Sequence, residues 1–504
     1  MAVTTRLGLA ALADLAPENR PAVRPGDVRP GVLHLGLGAF HRAHQAVYTE
    51  TAVAASGGDW GIIGVAPRSR DVVDRLREQN LLYSVLTVGG GPDHARAVGI
   101  LSGLGHAAGD PYGVVAAIAD PSIRIVTLTV TEKAYRFSPG ELTGDAAPRS
   151  IPALLARGLM KRTAPLTILC CDNLQGNGPR VRAVVEQALD VAGGALPREV
   201  AFPSTMVDRI VPATSGDHVA RAARALGAAD RVPVVAEPFH QWVIEDRFPG
   251  GRPDWGAAGA ILTDDVTPWE TLKLRALNAV HSACAYLGAL AGCEMIAEAL
   301  DLPGMGGFLR TLLAEDVAPT VQPPPGVTVT GYGETVLGRF ANRELGHRTR
   351  QVAMDGTQKL PHRLLGTIAD RRRAGAMPTR AVLVLAAWMR FARGLADDGS
   401  ALPLDDPLAP RIRSALAAAP SSPAGVVSAL LPIVAPPSSS PGPASPGPAS
   451  PGPASPGPAS PGLALPGPAS SWDLAEDAEL RVELVRWSSE LARHGAAAVI
   501  REVG

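Results

Sequence analysis

Residues 31–44 read Gly-Val-Leu-His-Leu-Gly-Leu-Gly-Ala-Phe-His-Arg-Ala-His. The first part is a short apolar strand, and Gly36-Leu37-Gly38 is a tight turn at its end. A strand that ends in Gly-x-Gly and feeds a helix is how a dinucleotide-binding fold brings its backbone up to a pyrophosphate. The third glycine of the usual G-x-G-x-x-G pattern is absent, because His41 stands in its place. A strand-to-helix turn that holds no ligand is the alternative. Gly36, Gly38, Phe40 and His41 are the candidate cofactor contacts of this stretch.

Working outward, residues 60–66, 123–130 and 166–171 are further apolar strands rich in Val, Ile, Leu and Thr. Helical patterns lie between them at 69–78 and 181–191. Strands alternating with helices predict an α/β fold with a parallel sheet over roughly the first 260 residues. In such a fold the strand after the glycine turn delivers a residue to the adenosine ribose. That strand ends at Pro67-Arg68-Ser69-Arg70-Asp71. An acid there favours NAD, whereas Arg68 and Arg70 suit the 2′-phosphate of NADP. Both types are present, so the motif leaves the choice open.

From Trp269 onward the period changes. Helices are predicted over 269–290, 303–316, 379–395 and 475–493, which makes a mainly helical second domain. Between the last two of these lies a repeat at 441–470, five Pro-Gly-Pro-Ala-Ser pentads and one Pro-Gly-Leu-Ala-Leu. Such a segment has no side chains with which to build a core and is expected to be disordered. It reads as an insertion over 436–471, either an inert surface loop or a ligand for a Pro-binding module. The expected domains are 1–265 and 266–504.

Composition narrows the function. The chain has 504 residues, 46% hydrophobic and 19% charged, with a formal net charge of −1. That supports a sizeable core and lacks the basic excess of a dedicated nucleic-acid binder. No apolar run is long enough to span a membrane. The N-terminal stretch lacks a basic-then-apolar signal layout, so a cytoplasmic location is expected. Four cysteines (Cys170, Cys171, Cys284, Cys293) form no C-x-x-C pair, and no zinc site is expected. Cys170 and Cys171 read as small buried hydrophobes.

Lysine is rare. Of 47 basic residues only Lys133, Lys161, Lys273 and Lys359 are Lys. A buried Lys can lose its proton and act as a base, which Arg cannot. Chance survival is the alternative for any one of them. Lys273 lies in Glu270-Thr-Leu-Lys273-Leu-Arg-Ala-Leu-Asn278-Ala-Val-His281. On an α-helix Glu270, His281 and Asn278 fall about 60°, 80° and 140° from Lys273, on one side. Leu272, Leu274, Leu277 and Val280 make the rest of the helix apolar. Burial there would favour the neutral amine that a general base requires. A solvated polar face is the alternative.

Other polar clusters follow predicted strands: Thr131-Glu132-Lys133, Asp172-Asn173, Val207-Asp208-Arg209 and Glu237 to Trp242. Ligands of open parallel sheets sit beyond the C-terminal strand ends, so several such clusters favour a site. No Tyr is followed by Lys at the fourth position, no G-x-S-x-G elbow occurs, and no Gly-Lys dipeptide marks a phosphate loop.

Seven stretches together resemble the mannitol dehydrogenase family: HLGLGAFHRAHQAVY (34–48), TEKAY (131–135), CDNLQGNG (171–178), FPSTMVDRI (202–210), EPFHQWVIED (237–246), LKLRALNAVHS (272–282) and MDGTQKLPHR (354–363). The resemblance runs from about Gly31 to Pro407 and resumes weakly after the repeat. It implies a Rossmann-type N-terminal domain, a helical C-terminal domain, a nicotinamide cofactor (NAD, with NADP still open) and no metal. It implies Lys273 as the base, with Asn173 and Asn278 as amides that hold the substrate oxygen. His281 would position substrate and Glu270 govern proton passage. Asp208, Lys359 and Arg363 would bind substrate. Val207, Arg68, Thr131, Glu132 and Asn173 would lie at the cofactor. The family interconverts mannitol and fructose, mannonate and fructuronate, or altronate and tagaturonate. Gln351, where several mannitol enzymes have Arg, and the run QKLPHR (358–363) resemble the mannonate branch. A nicotinamide-binding protein without turnover, using the Pro-rich insertion to recruit a partner, is the rival class.

Overall fold

The computed structural model describes residues 5–89, 91–130, 132–144, 146–436 and 473–504, without the side chains of Glu132 and Lys133. The repeat therefore lies outside the described residues, as does Thr131. The chain divides into two compact units, one reaching to Thr267 and the other starting at Pro268.

The first unit is built on six parallel strands: β1 (Pro30–Leu35), β2 (Gly61–Ala66), β3 (Leu101–His106), β4 (Ile125–Leu128), β5 (Leu166–Cys170) and β6 (Val200–Ala201). Their order is β3-β2-β1-β4-β5-β6, the doubly wound Rossmann arrangement. Both faces are covered, so the central strands are apolar throughout. Val32, Ile62, Ile125 and Leu169 pack on one side. Leu33, Leu35, Val126 and Ile168 pack on the other. Cys170 and Cys171 are buried among them, as small hydrophobes should be. Strand order reverses between β1 and β4, which opens a crevice at their C-terminal ends.

The parallel pattern is not the whole unit. Tyr83–Thr87 pairs antiparallel with His94–Val98. Thr205–Asp208 pairs antiparallel with Gln241–Glu245. These short strands alternate too little to show direction in sequence.

The second unit is helical among its described residues. The helices Asn278–Leu290 and Thr379–Phe391 are buried almost throughout. The two continuous α-helices expected over 269–290 and 303–316 are each interrupted by a π-helical turn, at Lys273–Leu277 and Leu312–Val317. A third π turn spans Pro361–Leu365. No described helix is long and apolar enough to cross a membrane.

Candidate active site

In the first unit the glycine turn sits at the crevice. Gly36 has φ 115°, and a Cβ there would come within 2.1 Å of the Thr129 carbonyl oxygen. Only glycine combines that backbone with that approach. The N–H groups of Gly36 and Leu37 donate to the Val65 carbonyl at 3.0 and 3.1 Å, tying the turn to the end of β2. Gly38 is exposed and precedes the short helix Ala39–Ala43. A Cβ on Gly38 would meet nothing nearer than the Gly36 oxygen at 3.7 Å. The space over the turn is thus open to a ligand, and the turn fits a dinucleotide.

His41 is fully buried, with its ring stacked on His34. Burial pushes the His41 imidazole well below its usual range and His44 down to about 3. Phe40 stacks on His44 at 5.0 Å between ring centres. The His44 Nε2–H donates to the Gln241 carbonyl at 2.9 Å. Val207 and Asp208 are both buried, opposite Trp242 and Gln241 on the neighbouring strand. Tyr48 and His240 share a 2.8 Å hydrogen bond beside Trp242.

Arg68 is exposed beyond β2, and its carbonyl accepts from His106 Nε2 at 2.8 Å. Asn173 is exposed just past the C-terminal end of β5. Beside it, Asp172 accepts the Tyr135 hydroxyl at 2.5 Å. Burial pushes the Asp172 carboxyl up to about 7, against the pull of that hydrogen bond. Sequence reasoning missed the Tyr135–Asp172 pair, whose partners lie far apart in the chain.

In the second unit the π turn decides the arrangement. The Asn278 N–H donates to the Lys273 carbonyl, five residues back. Lys273 (8% exposed), Asn278 (5%) and Glu270 (7%) are all buried, so the solvated-face alternative fails. His281 lies 4.6 Å from Phe340 and 4.5 Å from His347, ring centre to ring centre. Burial first, then His347 and the nearby charges of Arg363, Lys359 and Arg339, hold the His281 imidazole well below its usual range.

Lys359 and Arg363 lie one turn apart. Lys359 Nζ donates to the Met354 carbonyl at 2.7 Å and stands 3.6 Å from the Asp355 carboxylate. Burial lowers the affinity of both side chains for their protons. Asp355 adopts φ 56°, a left-handed conformation that Asp tolerates. Neither Arg339 nor His347 was singled out in sequence; both belong to segments without a polar motif. Among the described residues no group of three or more His, Cys, Asp or Glu could hold a metal ion.

The chain matches the mannitol dehydrogenase Rossmann domain over residues 30–257 and the mannitol dehydrogenase C-terminal domain over residues 265–431. It is 36% identical to D-mannonate oxidoreductase of Escherichia coli, over 79% of this chain and 88% of the relative. It is 37% identical to mannitol 2-dehydrogenase of Cereibacter sphaeroides, over 77% of this chain and 86% of that protein. Its structure is similar to Pseudomonas fluorescens mannitol 2-dehydrogenase in ternary complex with NAD and D-mannitol, with a TM-score of 0.79, 30% identity and 99% of each chain covered. The family models and relatives therefore agree with the fold: the chain belongs to the mannitol dehydrogenase family, and it is a dehydrogenase acting on CH–OH groups.

Proposed function

We propose that this chain interconverts a secondary alcohol of an open-chain sugar acid or polyol with its ketone, using Lys273 as general base. The cofactor is NAD, and when bound it supplies the hydride acceptor. The observation that carries the reading is the π turn, which holds a buried Lys and a buried amide on one short stretch of helix. π-Helical turns recur at functional sites because they displace side chains from α-helical register.

Lys273 takes the alcohol proton as the carbon loses hydride, and the C–O bond becomes a carbonyl. The Asn278 amide donates to the oxygen while negative charge develops on it. Its Nδ2 is buried without a hydrogen-bond partner, as a donor waiting for substrate would be. Asn173 is the second amide of that pair in this reading. Glu270 passes the proton onward, and His281 and Asp208 orient the sugar chain. The groups that hold the oxygen and move the proton are all side chains, and the scheme calls on no metal.

Among substrates, the cations around His281 favour a sugar acid. Arg363 and Lys359 both act on the His281 imidazole; Asp355 acts on each of them, and Asp405 acts on Lys359 as well. A substrate carboxylate would suit the buried Arg363 guanidinium in bidentate geometry. D-mannonate/D-fructuronate is therefore the first reading and D-mannitol/D-fructose the second. Altronate/tagaturonate carries the same carboxylate. The buried Lys273 and Asn278 speak against a non-catalytic binder.

The test follows NADH oxidation with D-fructuronate, D-tagaturonate and D-fructose in parallel. Turnover of an acid alone supports the sugar-acid reading; turnover of fructose alone overturns it. Lys273→Ala should abolish turnover and leave NADH binding intact. Retained activity would remove Lys273 from its role.

A further inference from the structure

His34 is the fifth residue of β1 and lies directly opposite Thr127 on β4. It is fully buried in the layer that Val32 also faces. Its Nδ1 is 2.7 Å from the Thr127 hydroxyl. Its Nε2 is 2.8 Å from the Gly36 carbonyl oxygen and 2.9 Å from the Thr129 hydroxyl. The Thr129 hydroxyl also donates to the Gly36 oxygen, at 2.9 Å.

These contacts fix the tautomer. A carbonyl only accepts, so Nε2 carries the proton and donates to Gly36. In a neutral ring Nδ1 then accepts, and the Thr127 hydroxyl donates to it. Burial keeps the ring neutral, with its pKa pushed down to about 3. Three donors therefore meet at the Gly36 oxygen: His34 from β1, the Thr129 hydroxyl from just past β4, and the Gly38 N–H within the turn itself.

A second contact closes the turn from the other side. The rings of His34 and His41 stack with centres 3.3 Å apart and planes 9° from parallel. One residue precedes Gly36-Leu37-Gly38 and the other follows it. The stacked pair spans the two ends of the glycine turn.

We propose that His34 is a positioning residue for the dinucleotide: it pins the Gly36 peptide and, through His41, clamps the glycine turn in its binding shape before the cofactor arrives. This rests on reading the turn as the cofactor site. A turn held in advance costs less to order on binding. A turn released from His34 keeps its ties to Val65 but loses the side-chain anchor on the Gly36 oxygen and the ring stacked on His41.

The test titrates NADH into the full chain by fluorescence, independently of turnover. His34→Ala should weaken NADH binding about tenfold, the scale of one buried hydrogen bond left unmade. The KM for NADH should rise in step, while kcat at saturating cofactor stays within about threefold. His34→Gln should restore most of the affinity, because its amide N–H reaches where Nε2–H stood. A purely structural loss would lower kcat as well and would not be rescued by Gln. If His34→Ala does not fold, Thr129→Val removes the second side-chain donor while keeping side-chain shape, and should weaken binding about threefold. Unchanged NADH affinity in a folded variant overturns the positioning role alone. No NADH binding by the unaltered chain overturns the cofactor reading of the turn, and this proposal with it.

Discussion

The Asn278 N–H donates to the Lys273 carbonyl five residues back, and this bond widens the helix between them. In a regular α-helix Asn278 would point about 140° away from Lys273. A turn closed over five residues carries Asn278 back toward the Lys273 side. Lys273 and Asn278 then stand closer around the helix than the outer edges of the arc that α-helical spacing gives them.

That relationship predicts a specific loss. Asn278→Ala removes a preorganised donor without touching the base. Its kcat should fall about a hundredfold, the scale of a lost oxyanion-type donor. Single-turnover hydride transfer with saturating NADH measures it. NADH affinity should not change, and a drop in kcat under threefold would argue that the amide does not contact the reacting oxygen.

How much of this was legible in the sequence depends on how local the cause is. The strands around Gly36-Leu37-Gly38 were readable because burial on both faces leaves an unbroken apolar run. The helical second unit was readable from its period. The π turn at Lys273–Leu277 was not, since that run has neither Gly nor Pro to mark it. The turn at Pro361–Leu365 does carry a mark, because Pro361 lacks the N–H that an α-helix would use. His34 sat inside the quoted motif but looked like one more strand residue. Its threonine partners, Thr127 on β4 and Thr129 just past its end, come next to it only through the strand order.

Gly36 offers a sharper test of the turn than any polar residue. Gly36→Ala puts a Cβ against the Thr129 carbonyl in a backbone conformation that Ala resists. The chain should lose several degrees of melting temperature and about tenfold or more in NADH affinity. Calorimetry and NADH titration read the two separately. Normal affinity in this variant would show that the turn does not shape the cofactor site.

Arg363 tests the sugar-acid reading. Arg363→Met keeps the apolar stem and removes the charge. The KM for D-fructuronate should rise at least tenfold, as expected when a charged partner is lost from a buried carboxylate. The KM for D-fructose, where it is turned over at all, should move much less. Equal effects on both substrates would place Arg363 in packing and leave the carboxylate without its cation.

Asp172 makes stability depend on pH, with a sign opposite to that of a salt-bridged carboxylate. Burial raises its folded pKa to about 7, above the ordinary carboxylate range. Between those two values the folded chain holds a proton that the unfolded chain has released. The contribution of this group to stability is therefore full below the unfolded pKa and falls as pH rises toward 7. For a single proton the slope is at most about 1.4 kcal/mol per pH unit. Asp172→Asn cannot ionise, yet it can still accept the Tyr135 hydroxyl. Its melting temperature should decline less than that of the unaltered chain between roughly pH 5 and 7, as differential scanning calorimetry would record. Parallel pH curves for the two proteins would mean that Asp172 is already ionised in the folded chain, and that the Tyr135 hydroxyl outweighs the cost of burying it.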